Sequence, residues 1–429
     1  MEKVDREGIE LNNVNSFSFV GDPGCDGLGV EIMSIFNAAC REAKGDFLLI
    51  GGDIVPSGVN RFYENVIAMA DAAVDKPIFM LAGNHDTLNY DAYFGRKNYF
   101  LYSSNLLLAV LDNSKRVFSE ETLELLEHAL VYERDNIVIA FHIPPPNIYT
   151  QNSVNAEEWE KILKIISPVK GKVKYILCGH LHSYFEDNVN GIKLIVTGGG
   201  GARLEEVPGI ETPYYHFVEF SFDSQGRLRY ICNPVSLDLS GSQGSPFNKT
   251  FNIAPPVRDA LEKAFAGECQ AYIRYRLFAE DAAKNHKPGL AKLFMAASDS
   301  EFYHARNFYY AMYNIKSSSE AVSESVINED HEVHTLYKDG VGLAQKHGAG
   351  LAAYAFEDAR SAEGIHSRLF REAEGMLLSA SDIPEKHYYT CTSCGYTITD
   401  ISKISACPVC GAPLDKIVST QKYGNKEEV

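Results

Sequence analysis

Glu301-Phe302-Tyr303-His304 returns as Glu363-Gly364-Ile365-His366, with Glu268 ahead of the first copy and Glu329 and Glu332 ahead of the second. Residues three apart share one face of a helix, so each motif aims a carboxylate and an imidazole at a single point. These five glutamates and two histidines would be costly to bury without cations, because an uncompensated buried charge is strongly unfavourable. The neighbouring residues are apolar or small, Ala264-Phe265-Ala266-Gly267 before Glu268 and Ala352 to Phe356 before Glu363, which argues against a solvated acidic face. The repeat predicts a helical region that holds two metal ions.

Around it, residues 257–380 form long runs rich in Ala, Glu, Leu and Lys, broken at Lys287-Pro288-Gly289 and at Gly348-Ala349-Gly350. That pattern predicts two helical hairpins related by an internal repeat. Ahead of them, Ser240-Gly241-Ser242-Gln243-Gly244-Ser245-Pro246, running on to Ala254-Pro255-Pro256, is linker-like, because Gly, Ser and Pro do not sustain a core element. A boundary at residues 241–256 follows, separating residues 1–240 from the helical region. At 429 residues the chain is expected to hold about two to four domains.

In residues 1–240, short apolar runs alternate with amphipathic stretches such as Val30 to Glu42. The runs are Phe17 to Val20, Phe47 to Ile50, Ile78 to Leu81, Leu106 to Leu111, Ile137 to Phe141, Tyr175 to Cys178 and Leu194 to Val196. They predict an α/β domain. Polar clusters close many of these runs: Gly21-Asp22-Pro23-Gly24, Gly52-Asp53, Gly83-Asn84-His85-Asp86, His142 and Gly179-His180-Leu181-His182. Each alone is a common turn or surface motif. Together, carboxylate, amide and imidazole groups at strand ends are what a two-metal hydrolytic site requires.

Residues 381–429 form a short cysteine-bearing module. Of nine cysteines, Cys391 and Cys394 make one Cys-x-x-Cys pair and Cys407 and Cys410 another, separated by residues 395–406 and followed by Gly395 and Gly411. A module this small needs a metal for much of its stability, and paired knuckles supply tetrahedral sulfur geometry for iron or zinc. The tail after Lys416 reads as polar and frayed. The composition is globular, 45% hydrophobic and 23% charged, with no apolar run long enough to cross a bilayer. The N-terminus has no signal-peptide pattern, so a cytoplasmic protein in a reduced compartment is expected. A net charge of −17 without a basic patch excludes general nucleic-acid binding.

Residues 16–235 resemble the calcineurin-like metallophosphoesterases. The resemblance implies a double-sheet sandwich flanked by helices, in which Asp53 bridges two divalent or trivalent ions (iron, manganese or zinc). By it, Asp22 and His182 complete one metal's ligands, Asn84, His142 and His180 the other's, and His85 is the catalytic acid beside the scissile phosphate. One departure matters. Most of the family has Asp-x-His in the first motif, whereas Gly24 stands here. The purple acid phosphatase branch also has Gly there but adds a tyrosine ligand three residues after the bridging aspartate, where this chain has Pro56. Cys25, Asp26 or water could fill the gap, or that ion binds weakly. The Gly198 to Gly201 run with Ala202-Arg203 either cradles a phosphate or is plain structure.

From Val257 to the cysteine knuckles the chain resembles rubrerythrin, an all-α ferritin-like four-helix bundle followed by a rubredoxin-like domain. Four helices bearing glutamates and two Glu-x-x-His pairs are the ligand set of carboxylate-bridged di-iron bundles. The resemblance implies two irons bridged by Glu301 and Glu363, with Glu268, Glu329, Glu332, His304 and His366 terminal, and Glu332 and His304 matching the family's redox-dependent ligand exchange. It places Tyr275 and Tyr337 against ligand carboxylates. Cys269 stands where the family commonly has Ser, and His331 and His334 fall off the ligand face. Cys394-Gly395-Tyr396 and Cys407-Pro408-Val409-Cys410-Gly411 look like rubredoxin knuckles, which favours a redox-active iron there over zinc.

The expected function is a cytoplasmic fusion: a di-iron peroxidase that reduces hydrogen peroxide with electrons entering at the cysteine iron from a reductase or rubredoxin, joined to a phosphoesterase of unknown substrate. A homo-oligomer is implied. The alternatives are a phosphoester hydrolase gated by a redox-sensing iron module, and non-catalytic iron storage.

Overall fold

The computed structural model describes residues 1–12, 14–210, 212–235, 253–312, 318–379 and 382–419. Most of the expected linker, residues 241–252, and the tail from residue 420 lie outside the described residues. The chain divides into two compact units, the first ending after the first helical hairpin and the second beginning at the next helix.

In chain order the first unit contains β1 (Gly8–Glu10), β2 (Ser16–Val20), α1 (Val30–Glu42), β3 (Leu48–Ile50), α2 (Asn60–Ala73), β4 (Ile78–Met80), α3 (Tyr90–Phe94), β5 (Tyr99–Tyr102) and β6 (Leu106–Val110). There follow α4 (Glu120–Leu130), β7 (Asn136–Ala140), α5 (Ala156–Ile166), β8 (Val173–Cys178), β9 (Tyr184–Val189), β10 (Ile192–Thr197), β11 (His216–Phe222) and β12 (Leu228–Pro234). All seven apolar runs of the sequence are strands. They build a seven-stranded sheet, β1-β5-β6-β7-β8-β10-β9, and a five-stranded sheet, β12-β11-β2-β3-β4.

The alternation of side chains explains the layers. Leu106, Leu108 and Val110 of β6 face a core shared with Phe17, Phe19, Leu49, Val218 and Phe220 of the other sheet, which is the interior of a sandwich. Leu107 and Ala109 point the other way, against Leu125 and Leu126 of α4 and Trp159 and Ile162 of α5. Leu48 and Ile50 likewise turn outward to Phe36 of α1 and Val66 of α2. At the sandwich centre Phe17 stacks on Phe220 with ring centroids 4.5 Å apart, and such a fully buried side chain contributes roughly 1.5–3 kcal/mol.

The consequence for function is geometric. Strands β2, β3 and β4 are mutually parallel, as are β6, β7 and β8, so their C-terminal ends emerge along common edges. Ligands bind where strand C-terminal ends open into loops.

The first unit ends with α6 (Pro255–Lys284) and α7 (Pro288–Met312), a hairpin with Pro at the start of α6. The second unit holds α8 (Ser318–His331), a π-helical turn at Glu332–Leu336, α9 (Tyr337–Lys346) and α10 (Gly350–Leu377). The chain turns before α10 at Gly348, whose φ of 68° suits glycine. A three-stranded sheet follows, β14-β13-β15, with β13 at Tyr389–Cys391, β14 at Thr397–Ile398 and β15 at Ile417–Ser419. The tail after Lys416 is therefore not frayed at once: Cys391 pairs with Ile417 and Thr390 with Val418, and Ile417 is buried.

Candidate metal centres

Asp22, Asp53, Asn84, His142 and His180 each lie within four residues of the end of β2, β3, β4, β7 or β8. Among the described residues, seven non-glycine positions have positive φ, and Asp22, Asp53 and His180 are three of them. Such strained backbone persists where surrounding structure over-determines it, as at binding sites. Asp53, His142 and His180 present ligand atoms within 4.8 Å of one another. His142 Nε2 lies 3.2 Å from Asp53 Oδ2 and 3.8 Å from Asp22 Oδ1, and His182 Nε2 is also 3.8 Å from Asp22 Oδ1.

Each imidazole is turned by its far nitrogen. His142 Nδ1 is 2.9 Å from the Gly51 carbonyl and His182 Nδ1 is 2.8 Å from the Arg203 carbonyl. Donation there fixes the tautomer and leaves Nε2 as a lone-pair donor. His180 is reversed, with Nε2 at 3.0 Å from Asn152 Oδ1 and a buried Nδ1 without a hydrogen-bond partner. Asn84 Oδ1 and His142 Nε2 are orphaned in the same way. Buried polar atoms are nearly always satisfied, so orphaned nitrogens on His142 and His180, grouped with Asp53, fit a cation site. Electrostatics agrees. Burial works against a charged His142, but Asp53 and Asp22 outweigh it and raise its pKa to about 10, so the two carboxylates favour positive charge between them. Asp22 is pushed up to about 7 by burial, with Asp53 adding to the rise.

Two residues outside the expected set position this site. Asp86, fully buried, accepts hydrogen bonds from the backbone N–H groups of Asp53 (2.7 Å), Ile54 (3.1 Å) and Gly83 (3.0 Å) and so holds the Asp53 loop. Pro56 offers its carbonyl to His85 Nδ1 at 3.0 Å, which leaves His85 Nε2 4.0 Å from Asp53 Oδ2 on a 41% exposed ring. Arg116 stands at the rim, its guanidinium 2.6 Å from Asn152 Oδ1 and 3.4 Å from His180 Nε2. Asp86 was visible as the last residue of the Gly-Asn-His-Asp cluster, whereas nothing local marks Arg116 or Asn152.

The glycine-rich loop resolves as structure. The N–H groups of Gly198, Gly200 and Ala202 are spent on the carbonyls of Ser183, Gly21 and Asp22. A Cβ on Gly83 would fall 2.1 Å from Asp53 Oδ1, so that position must be glycine for the carboxylate to approach.

The helical ligands form two matching sets. In the first unit Glu268, Glu301 and His304 bring ligand atoms within 4.8 Å, as do Glu329, Glu363 and His366 in the second. In each, the i, i+3 pair touches: His304 Nδ1 is 2.7 Å from Glu301 Oε2 and His366 Nδ1 is 2.6 Å from Glu363 Oε2. Burial, together with Glu363 and Glu332, raises Glu329 to about 8, and burial with Glu301 raises Glu268. Carboxyl groups crowded closely enough to raise one member's pKa fit a cation site. Glu332 lies outside these close sets, at the π-helical turn, and burial, with the nearby Glu332 and Glu363 carboxylates, raises the Tyr337 pKa. Tyr275 instead stacks on Phe294 at 6.1 Å. His331 and His334 are exposed. A further contact went unread in the sequence: His366 Nε2 is 2.8 Å from Thr397 Oγ1, three residues beyond Cys394.

The four cysteines converge. Cys391 and Cys410 sulfurs are 3.7 Å apart, those of Cys394 and Cys407 are 3.6 Å apart, and none of the four is in a disulfide. Sulfurs at tetrahedral corners about a metal at ~2.3 Å are separated by roughly 3.8 Å. Gly395 and Gly411, with φ of 79° and 73°, let each knuckle fold back so that their N–H groups reach Cys391 and Cys407 carbonyls. Burial would raise Cys391, but N–H groups of Ser393 and Cys394 prevail and lower it to about 7.

Ligand sets of these three kinds make the chain a metal-binding protein with separate centres of different chemistry. Residues 16–184 match the family model described as calcineurin-like phosphoesterase, and residues 259–374 match that described as rubrerythrin. Rubrerythrin-2 of Clostridium acetobutylicum is 30% identical over 172 residues, covering 37% of this chain and 93% of that protein. Nigerythrin of Nitratidesulfovibrio vulgaris is 26% identical over 172 residues, covering 36% of this chain and 82% of its own length. The purple acid phosphatase PPD1 from yellow lupin overlays with a TM-score of 0.43 at 16% identity, covering 51% of this chain and 52% of that one. The chain belongs to the rubrerythrin family through its C-terminal region, and is a fusion of that region with an N-terminal phosphoesterase domain. Among the described residues no helix is long and apolar enough to cross a membrane.

Proposed function

We propose that the C-terminal region is a di-iron peroxidase that reduces hydrogen peroxide to water. The observation that carries this reading is the duplicated Glu, Glu, His set on two helical hairpins, one bearing Glu268, Glu301 and His304 and the other Glu329, Glu363 and His366. These residues and Glu332 would hold iron, which would supply the electrons for peroxide reduction. The chain's own part is to orient the ligands: the Tyr337 hydroxyl against Glu332 and the Thr397 hydroxyl against His366 Nε2. The Thr397 contact supports electron entry through a rubredoxin-like iron at Cys391, Cys394, Cys407 and Cys410, because it joins a knuckle residue to a ligand histidine. A reductase or rubredoxin would supply those electrons in a cytoplasmic setting. Leu277, Phe278, Leu293 and Phe302 leave apolar surface exposed on the first hairpin, which supports a homo-oligomer.

The N-terminal domain in this reading is a dinuclear phosphoesterase. Asp53 would serve both ions, Asp22 and His182 would hold one, and Asn84, His142 and His180 the other; the ions would supply a bound water of lowered pKa. His85, held by Pro56, presents Nε2 to protonate the leaving oxygen, and Arg116 offers a cation to the phosphate oxygens.

The test is metal analysis of the full chain with absorbance spectra before and after peroxide. Iron in the chain, with colour that bleaches on reduction and returns with peroxide, is expected. A colourless zinc-filled protein that does not consume peroxide sinks the reading. Glu301→Gln should abolish peroxide reduction and spare phosphoester hydrolysis.

A further inference from the structure

Gly24 leaves the ion shared by Asp22 and His182 one protein ligand short, and the structure shows what stands in its place. No side chain can extend from position 24, since a Cβ there would lie 2.1 Å from the Ile54 carbonyl oxygen. The next residue turns inward instead: Cys25 is 8% exposed, and its Sγ is 3.1 Å from His182 Nε2. That nitrogen is the one His182 turns to the metal face, because Nδ1 is committed to Arg203. Asp26 also lies near His182, but its Oδ2 is 3.8 Å from Nδ1, the wrong nitrogen, and accepts the Arg203 N–H at 2.7 Å.

A second observation points to the same spot. Cys25, Asp26 and His182 present ligand atoms that all lie within 4.8 Å of one another, and His182 Nε2, the nitrogen that meets Cys25 Sγ, also faces Asp22 Oδ1 at 3.8 Å. Sulfur and imidazole nitrogen on one tetrahedral ion are roughly 3.6 Å apart, within about half an ångström of the Cys25–His182 contact. We propose that Cys25 is a thiolate ligand of the ion held by Asp22, His182 and the bridging Asp53, giving the phosphoesterase one sulfur-ligated metal. On binding, the thiol loses its proton to solvent and its S–H···N contact to His182 is replaced by S–metal and N–metal bonds. Thiolate selects thiophilic divalent ions such as zinc or iron(II) over magnesium and manganese. This inference rests on the two-metal reading of the N-terminal domain.

Cobalt(II) tests it, because thiolate–cobalt bonds give an intense near-ultraviolet charge-transfer absorption that oxygen and nitrogen ligands lack. Metal-free full chain, its Cys25→Ser variant and its Asp53→Asn variant are titrated with cobalt in parallel, so that the four-cysteine site contributes equally and cancels. The native chain should show extra charge-transfer intensity that Cys25→Ser lacks, and the variant should bind that ion at least about tenfold more weakly. Asp26→Asn should leave the band intact. Equal thiolate bands in native and Cys25→Ser chains, while Asp53→Asn loses bound cobalt, overturn Cys25 as a ligand and leave the two-metal reading standing. No difference between native and Asp53→Asn overturns both. Should Cys25→Ser not fold, alkylation of the native chain decides: cobalt should protect Cys25, and equal labelling with and without cobalt refutes the proposal.

Discussion

The strand-end site and the helical sites bind with similar donor types but build them in opposite ways. In the N-terminal domain the ligands come from separated loops, Asp22 and His142 are fully buried and Asp53 nearly so, and three sit on strained backbone. In the helical region, regular i, i+3 geometry supplies the ligands, and they stay partly open to solvent: side chains of Glu268, Glu329 and His366 are 29%, 19% and 31% exposed. The first kind of site is preorganised by its fold and intolerant of change. The second is supplied by regular helices and stays more open to solvent.

Breaking the rigid site should show the largest effect. Asp53→Asn is expected to lower phosphoester hydrolysis by at least about 10²–10³-fold while leaving peroxide consumption unchanged, measured side by side on one preparation. Loss of both activities together would mean the two regions are not independent. Next, Gly83→Ala should destabilise the first unit by about 1–3 kcal/mol, since its methyl must displace Asp53 or the loop. Differential scanning calorimetry should show one transition lowered and the helical, cysteine-bearing unit unmoved. At the helical site, Thr397→Val removes only the hydroxyl that meets His366, and iron affinity should fall by roughly tenfold with the visible spectrum perturbed; an unaltered spectrum would reduce Thr397 to packing.

The smallest effect sharpens the contrast by pH. Glu329 is raised from 4.5 to about 8 in the metal-free protein, so the folded state favours its protonated form. Its stabilising contribution is present below about pH 4.5 and is lost as pH rises through about 8. Melting of the metal-free second unit should therefore decline over that window, and iron loading, which displaces the proton, should remove the dependence. A metal-free melting temperature flat from pH 5 to 8 counts against a raised pKa at Glu329.

What the sequence revealed follows the same division. The helical candidates were legible because spacing alone fixes which residues share a face, and each Glu-x-x-His pair forms a close set with one further glutamate, while Glu332, read together with them, stands apart. The strand-end ligands were legible as punctuation after apolar runs, yet their supports were not. Asp86 acts through three backbone N–H groups, Pro56 through its carbonyl and Asn152 through an outer contact; Asp86 stood inside a legible cluster, but no pattern marked these supporting roles. The same holds for the strand order of the two sheets, which depends on pairings distant in the chain. The choice between Cys25 and Asp26 was undetermined in sequence because it turns on which nitrogen of His182 faces inward.

The π-helical turn at Glu332–Leu336 has a further implication, in the arithmetic of helix phase. A π turn accommodates one residue more than an α turn, so it behaves as an insertion that the helix has absorbed without shifting its neighbours. Helix α10 packs against α8 before the turn and α9 after it. Removing one residue between 333 and 336 should therefore leave an unbroken α-helix with α8 and α9 in their present register on α10 and Ala344 still in its buried seat. The change would be local, in the aim of the side chains on the turn, Glu332 among them. The extra residue thus sets the direction of a candidate ligand carboxylate without disturbing the packing on either side.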